Sequence, residues 1–485
     1  MALSTWSAGH AGRLLLDHRQ HPYRSLAAMF GIWKAFLLGI AALATLAGPA
    51  YDTSGDLLEA ITANASANTL PGHAIPSGGI VSRFVSWDAI YYVQAARRGH
   101  IYEQEWAFGA ALPAVVSFIQ STLASLGADV SVPVVAVAYA HFAHLLAVLL
   151  LYRLGCQVWI GAAGRTVAFV AACLHVLSPA GLFLSAPYAE SSCALFSFAG
   201  YIAFAAGRKA SSTGALSVKG DLLRLLAGVY FGVATLFRSN GLLNSMLFAY
   251  EAVAGSLMFL RQPSLALFRR LVFVGLGGMA VAAGTVVPQT VAYFQFCQAP
   301  SGMPRENFRP WCTALVPSIY SFVQEHYWGS GRLFGYWTLS NLPLFLLATP
   351  MLLVMADSSI DVWVLVANAA KDAKRKASGG GGGGGNGNVP STQKEDGHGR
   401  VFDPRLGPLV QCMTAIQFLL ATMAFTSYHV QIISRLSSAY PVWYWWLAQG
   451  LMGGPRSKLS GGIVVFMVMY ASIQGILFAS FLPPA

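Results

Sequence analysis

Residues 82–109, "SRFVSWDAIYYVQAARRGHIYEQEWAFG", hold Asp88, Glu103 and Glu105 among three arginines and many aromatic rings, in a chain that is 55% hydrophobic and only 10% charged. Carboxylates in such company suit proton transfer to or from a hydroxyl, or recognition of a polyol. Trp87, Tyr91, Tyr92, Tyr102 and Trp106 are the amphipathic rings expected at a bilayer interface, so the stretch is expected to lie along a membrane surface. A carboxylate at Asp88 would then act where water, a lipid-borne group and hydrocarbon meet. A solvated aspartate or a helix cap is the plainer alternative.

Glu190, in "SAPYAES", opens an apolar run just after Pro187, where a helix dipole favours an acid whatever else it does. Arg238-Ser239-Asn240-Gly241 sits between two apolar runs. A cation so close to hydrocarbon needs a partner, which an anionic lipid phosphate would supply, unless it snorkels to the interface. Arg97 and Arg435 are further cations for such a phosphate. "YHVQIISR", 428–435, places His429, Gln431 and Arg435 beyond the end of a span. In 307–337, rings such as Trp328 offer faces for sugars, and Gln324, Glu325 and His326 offer hydrogen bonds. Packing against the membrane surface is the competing account of that segment. Asn240, Glu103, Glu105 and Glu190 join Gln324, Trp328, His429 and Gln431 as candidates for binding a sugar acceptor.

No DxD or HExxH signature is present and there is no Walker loop, so neither a metal nor a nucleotide cofactor is expected. The six cysteines form no CxxC pair, against a zinc ribbon or a thioredoxin-like site. Cys297 and Cys312 share one segment and either pair in an oxidising compartment or stay free. Cys156, Cys173, Cys193 and Cys412 read as small apolar fillers.

The elements that must position these groups are membrane helices. The 485 residues would suggest about three soluble domains, but a mean hydropathy of +0.56 and repeated apolar runs of roughly 18 residues or more describe one all-α, polytopic membrane domain over 1–485. The net charge of +11 is scattered over short loops, a topology signal rather than a nucleic-acid surface. Met1–Arg24 is polar and the run after it is too long for a cleaved signal, so it is read as a retained span. About eleven spans are expected, at 25–48, 131–152, 166–184, 188–207, 222–240, 241–260, 271–292, 341–356, 407–427, 440–453 and 461–481. Segment 106–127, with Pro113, is either a further span or an interfacial helix.

Basic loops place the N-terminus in the cytosol, and the later ones return there provided that 106–127 does not cross. The opposite, lumenal face then collects the first loop, 51–130, the segment 293–340, Glu190, Arg238 and His429–Arg435. The sequon at Asn64 also falls there, a possible glycosylation site. The Gly-rich tract 378–388 lies in a cytosolic loop, 371–403, expected to be disordered.

Several stretches, in order along nearly the whole chain, resemble the GPI mannosyltransferase 2 family: 83–109, "LSPAGLFLSAPYAESSCALFSFAG" (177–200), "FRSNG" (237–241), "PQTVAYFQFC" (288–297), 309–350 and "HVQIISRL" (429–436). The resemblance implies a GT-C type membrane glycosyltransferase of the endoplasmic reticulum, with dolichyl-phosphate mannose as donor. It would transfer the second mannose, α-1,6-linked, to mannosyl-glucosaminyl-phosphatidylinositol, and a small accessory membrane subunit would be a partner. In such enzymes the catalytic carboxylate lies in the first lumenal loop, which carries that role onto Asp88. "YAE" at 188–190 and "NLPLF" at 341–345 look like local departures from the family pattern.

Composition alone also allows a lipid or solute transporter. Transporters gather polar groups near the midplane of broken helices and show repeats. Here the polar groups collect beyond the spans and no repeat is found. A non-catalytic scaffold subunit, or another glycosyltransferase using a dolichyl-phosphate sugar, are the remaining alternatives.

Overall fold

The structure is a computed structural model that describes residues 17–48, 51, 54, 81–211, 217–298, 309–329, 331–378, 402–453 and 456–480. Among these the chain is helical, with only an isolated bridge between Trp159 and Phe402. In chain order the helices are α1 (Pro22–Ala47), α2 (Ala89–Arg98), α3 (Ala111–Ser125), α4 (Val132–Val158), α5 (Gly161–Val176), α6 (Glu190–Ser211), α7 (Val218–Phe237), α8 (Ser245–Arg261), α9 (Leu265–Cys297), α10 (Ile319–His326), α11 (Leu342–Ser378), α12 (Gly407–Thr426), the short α13 (Ile433–Leu436), α14 (Pro441–Leu451) and α15 (Ser457–Ser480).

Each of the eleven expected spans overlaps a helix, but they are not equivalent. Eight stretches among the described residues are long and apolar enough to cross a bilayer. The other three are α5, α6 and α14. At 11 residues, α14 is about 16 Å long, half of a hydrocarbon core, and its Trp443, Tyr444 and Trp445 are fully enclosed. Buried residues likewise dominate α6, from Glu190 to Gly207. At 16 residues α5 also falls short in length, whereas α6 falls short in hydropathy, because a helix surrounded by protein need not be uniformly apolar.

Several boundaries differ from expectation: the span expected over 166–184 is α5, which ends at Val176, and those expected over 131–152 and 271–292 run on to Val158 and over Leu265–Cys297. The helix expected to end near 356 continues as α11 to Ser378, so residues 371–378 of the expected disordered loop are helical. Phe402 and Asp403, at that loop's far end, are fixed by the Trp159 bridge and by a Lys209 ion pair at 3.2 Å. Most of the Gly-rich tract and Asn64 lie outside the described residues. Segment 106–127 forms α3, whose 15 residues span about 22 Å, short of a crossing. Its Phe118 points outward.

Small residues let α7 and α9 approach closely. A β-carbon on Gly228 would lie 2.5 Å from the Gly277 backbone, the close helix contact that membranes favour because lipid offers no hydrophobic drive to pack.

Polar chemistry collects at the two ends of the bundle. Along α6, Glu190 and Arg208 are separated by about 27 Å of helix. At the Arg208 end, Glu251 is clasped by Arg208 and by Arg270 at 2.6 Å, while Asp221 meets Arg269 at 2.9 Å. The Glu190 end holds the groups described next.

Candidate active site

The chain enters α2 through an unusual residue. Trp87 adopts φ +60°, a left-handed conformation that costs an ordinary residue roughly 1–2 kcal/mol. Asp88 follows it as the N-cap of α2, and its side chain makes no capping hydrogen bond. Buried Arg83 braces this entry, donating to Gly48 O at 2.6 Å and Ala479 O at 3.2 Å, the ends of α1 and α15.

Across from Asp88 lies Arg435, with Nη1 3.5 Å from Asp88 Oδ2. Arg435 is nearly buried, whereas 41% of the Asp88 side chain is exposed. The guanidinium lies over two rings, 4.2 Å from the Phe183 centroid and 4.7 Å from Tyr188. Its Nε donates to Glu190 Oε1 at 2.8 Å, and Arg238 Nη1 donates to the same oxygen at 2.6 Å. Burial works against the charge on Arg435, but Glu190, Tyr188 and Asp88 outweigh it and hold its pKa above the usual arginine value. The two acids and two arginines sum to zero charge. Glu190 is 1% exposed and committed to both arginines, while Asp88 faces open space with one loose ion pair. Among the described residues, Arg238 directs only one hydrogen bond to a side chain, leaving the rest of its fork for a ligand.

The other candidate residues divide into two groups. His429 and Gln431 flank this centre: the Tyr336 ring packs 4.7 Å from His429, and its hydroxyl donates to Gln431 Oε1 at 3.3 Å. Burial lowers the His429 pKa, and the Asp88 charge opposes that shift. Asn240 donates to the buried Tyr440 hydroxyl at 3.2 Å. Trp328 meets Phe108 edge-on at 5.2 Å, and Phe108 stacks on Tyr91 at 4.6 Å, a run of rings extending from α2. Gln324 lies on α10, in the same segment.

Three candidates fall elsewhere. Glu105 takes a bidentate Arg98, at 2.6 and 3.3 Å, and the backbone amides of Ile101 and Tyr102 at 2.7 and 3.0 Å; it closes a local turn. Glu103 binds Arg309 at 2.6 Å and Trp311 Nε1 at 2.8 Å, tying the first loop to the later segment, where Cys297 and Cys312 form a disulfide. Among the described residues, neither acid hydrogen-bonds or ion-pairs with the Asp88 centre. Arg97, in the last turn of α2, is about 13 Å along the helix from Asp88.

Sequence reasoning did not single out Phe183 and Tyr188, which seat Arg435, or Lys34, whose Nζ donates to Ser185 Oγ at 2.6 Å. The two rings stand in "GLFLSAPYAE" beside Glu190, and a lysine midway along the first apolar run was a readable signal. Among the described residues no group of three or more His, Cys, Asp or Glu is placed to hold a metal ion.

Comparison with known proteins gives this arrangement a context. Residues 43–485 match the model of the family described as Mannosyltransferase (PIG-V). The chain is 47% identical to GPI mannosyltransferase 2 of Chaetomium globosum, over 96% of this chain and 97% of that protein. It is 43% identical to the Gibberella zeae protein of the same name, over 97% and 100%. It is also 28% identical to GPI alpha-1,6-mannosyltransferase 2 of Cricetulus griseus, over 76% and 73%. An Archaeoglobus fulgidus oligosaccharyltransferase overlaps 82% of this chain and 52% of its own at a TM-score of 0.42 and 14% identity, too loosely to bear on mechanism.

Proposed function

The chain belongs to the mannosyltransferase (PIG-V) family, membrane enzymes of the endoplasmic reticulum that transfer mannose in GPI-anchor biosynthesis, and from that premise we propose how its own residues carry out the transfer. The donor is dolichyl-phosphate mannose, the acceptor is mannosyl-glucosaminyl-phosphatidylinositol, and the product is the α-1,6-linked second mannose. The site faces the lumen and the N-terminus faces the cytosol, in a GT-C type arrangement. A small accessory membrane subunit is a further expected partner.

The Asp88 carboxylate removes the proton of the attacked mannose hydroxyl. That oxygen forms a bond to the anomeric carbon from the face opposite the phosphate. The bond from that carbon to the phosphate oxygen breaks, and its electron pair leaves on dolichyl phosphate, so a β donor yields an α product. A base placed to activate the attacking oxygen follows the stereochemical logic of inverting glycosidases. Phosphate is a tolerable leaving group without a strong acid, and Arg238 and Arg435 stabilise its developing charge. Glu190 holds those two guanidinium groups in place. His429, Gln431 and Asn240 orient the acceptor.

One observation carries this reading. Of the two carboxylates at the arginine pair, Asp88 alone is open to a ligand, and it sits beside the cation suited to the leaving phosphate. The test is to supply purified protein with dolichyl-phosphate mannose and the mono-mannosylated precursor. An α-1,6 dimannosyl product is expected. Transfer from a nucleotide sugar instead, or a retained anomeric configuration, would overturn the reading.

A further inference from the structure

Two stretches of short helical turns and irregular backbone, 177–189 and 427–440 (the latter including α13), run into the bundle at the Asp88 end and are almost wholly buried from Ser178 to Ala189 and from Ile433 to Tyr440. Irregular backbone is tolerated at such depth only where protein groups satisfy its free carbonyls. The second stretch is satisfied by its neighbours: Trp443 Nε1 donates to Ser437 O at 3.0 Å, and His175 Nε2 lies 3.0 Å from Ser438 O. In the first stretch, Leu184 O accepts from Ser191 Oγ at 3.1 Å and from Lys34 Nζ at 3.3 Å. Lys34 also donates to Ser185 Oγ at 2.6 Å.

Lys34 lies near the middle of α1 and is 4% exposed. Among the described residues no carboxylate pairs with it. A lysine so deep in a span is costly and needs a reason. Its two acceptors supply one. They sit in the stretch that carries Phe183 and Tyr188, the rings beneath Arg435, and that ends in Glu190, the acid holding both arginines. The far side of the stretch is set by α15, where Phe478 packs against Phe183 at 5.5 Å and Tyr188 at 6.2 Å. From the α1 side, Lys34 provides the polar tether.

We propose that Lys34 is a positioning residue for mannosyl transfer: by binding Leu184 O and Ser185 Oγ it fixes the 183–190 stretch, and through it the placement of Arg435 on the donor phosphate. This rests on the assignment of Arg435 and Glu190 made above. Misplacing such a group by about an ångström can slow a reaction by on the order of a hundredfold.

The experiment uses the full-length purified protein with dolichyl-phosphate mannose and the mono-mannosylated precursor. K34M is expected to lower kcat by about tenfold to a hundredfold, with the acceptor KM and the melting temperature unchanged, and K34R to recover most of the rate. S185A, which removes one acceptor of the tether, is expected to lose part of the rate, and K34M/S185A to be no slower than K34M because both act through one bond. K34M at the wild-type rate would overturn the inference. So would additive losses in the double variant, or a loss that follows a lowered melting temperature and is not recovered by K34R. Failure of the Arg435 assignment reads differently: R435Q would then turn over normally, whereas failure of the tether leaves R435Q slow and K34M fast.

Discussion

Asp88 and Arg435 face each other at 3.5 Å, one 41% exposed and the other 7%. The asymmetry divides the labour at the site. Arg435 is immobilised between Glu190 below its edge and two aromatic rings under its face, while Asp88 keeps the freedom to meet a substrate hydroxyl. Two acids with the same chemistry thus receive different work from their surroundings.

Glu190 is expected to matter first for integrity. Replacing it by Gln leaves Arg238 and Arg435 without their shared counter-charge, and removing one partner of a buried ion pair typically costs about 3–5 kcal/mol. E190Q should therefore melt at clearly lower temperature than the wild type, as read by intrinsic fluorescence in detergent. An unchanged melting temperature would show that the pair is not holding the bundle end together.

Glu105 predicts the opposite pattern to a substrate ligand. Its oxygens are occupied by Arg98 and two backbone amides, so E105Q should lower stability by about 1–3 kcal/mol and leave the acceptor KM as it was. Steady-state kinetics at varied acceptor concentration, run beside a melting curve, separates the two. A raised KM with unchanged stability would return Glu105 to the binding site.

The disulfide between Cys297 and Cys312, 15 residues apart, closes the segment that Glu103 docks through Arg309 and Trp311. For a loop of that size the expected contribution is about 3 kcal/mol. C297S/C312S should accordingly expose the 309–337 segment to limited proteolysis of the purified protein. Equal protease resistance in the variant would contradict this.

Acid should destabilise the protein. Burial lowers the pKa of both His429 and His100 below the ordinary 6.5, so below that pH the unfolded chain binds more protons than the folded one and stability falls as pH falls. Their contribution is fully present above about pH 6.5 and is lost on acidification toward the lowered folded values. Melting temperatures between pH 5 and 7.5 should show this slope, and H429Q should flatten part of it.

Much of the site was legible in the sequence because membranes make polar residues conspicuous. Asp88, Glu190, Arg238 and Arg435 stand out against hydrocarbon, and the structure gathers all four. Glu103 and Glu105 stand out equally, yet their oxygens meet Arg309 and Arg98, because sequence shows which residues are charged but not which partner consumes the charge. The same limit applies to the helices: α14 and α6 were both expected from hydropathy, but sequence did not show that protein rather than lipid surrounds much of them. Phe183 and Tyr188 were invisible as site residues, since a ring seating an arginine looks like any ring in a greasy chain.

The role of Asp88 is tested most directly by the turnover of D88N with dolichyl-phosphate mannose and the mono-mannosylated precursor, normalised to folded protein. Because the side chain caps no helix and makes one loose ion pair, the variant should fold and melt as the wild type does. Transfer should nevertheless fall by about a hundredfold to ten-thousandfold, the usual worth of a positioned general base. A folded D88N protein that transfers mannose at the wild-type rate would remove Asp88 from the chemistry.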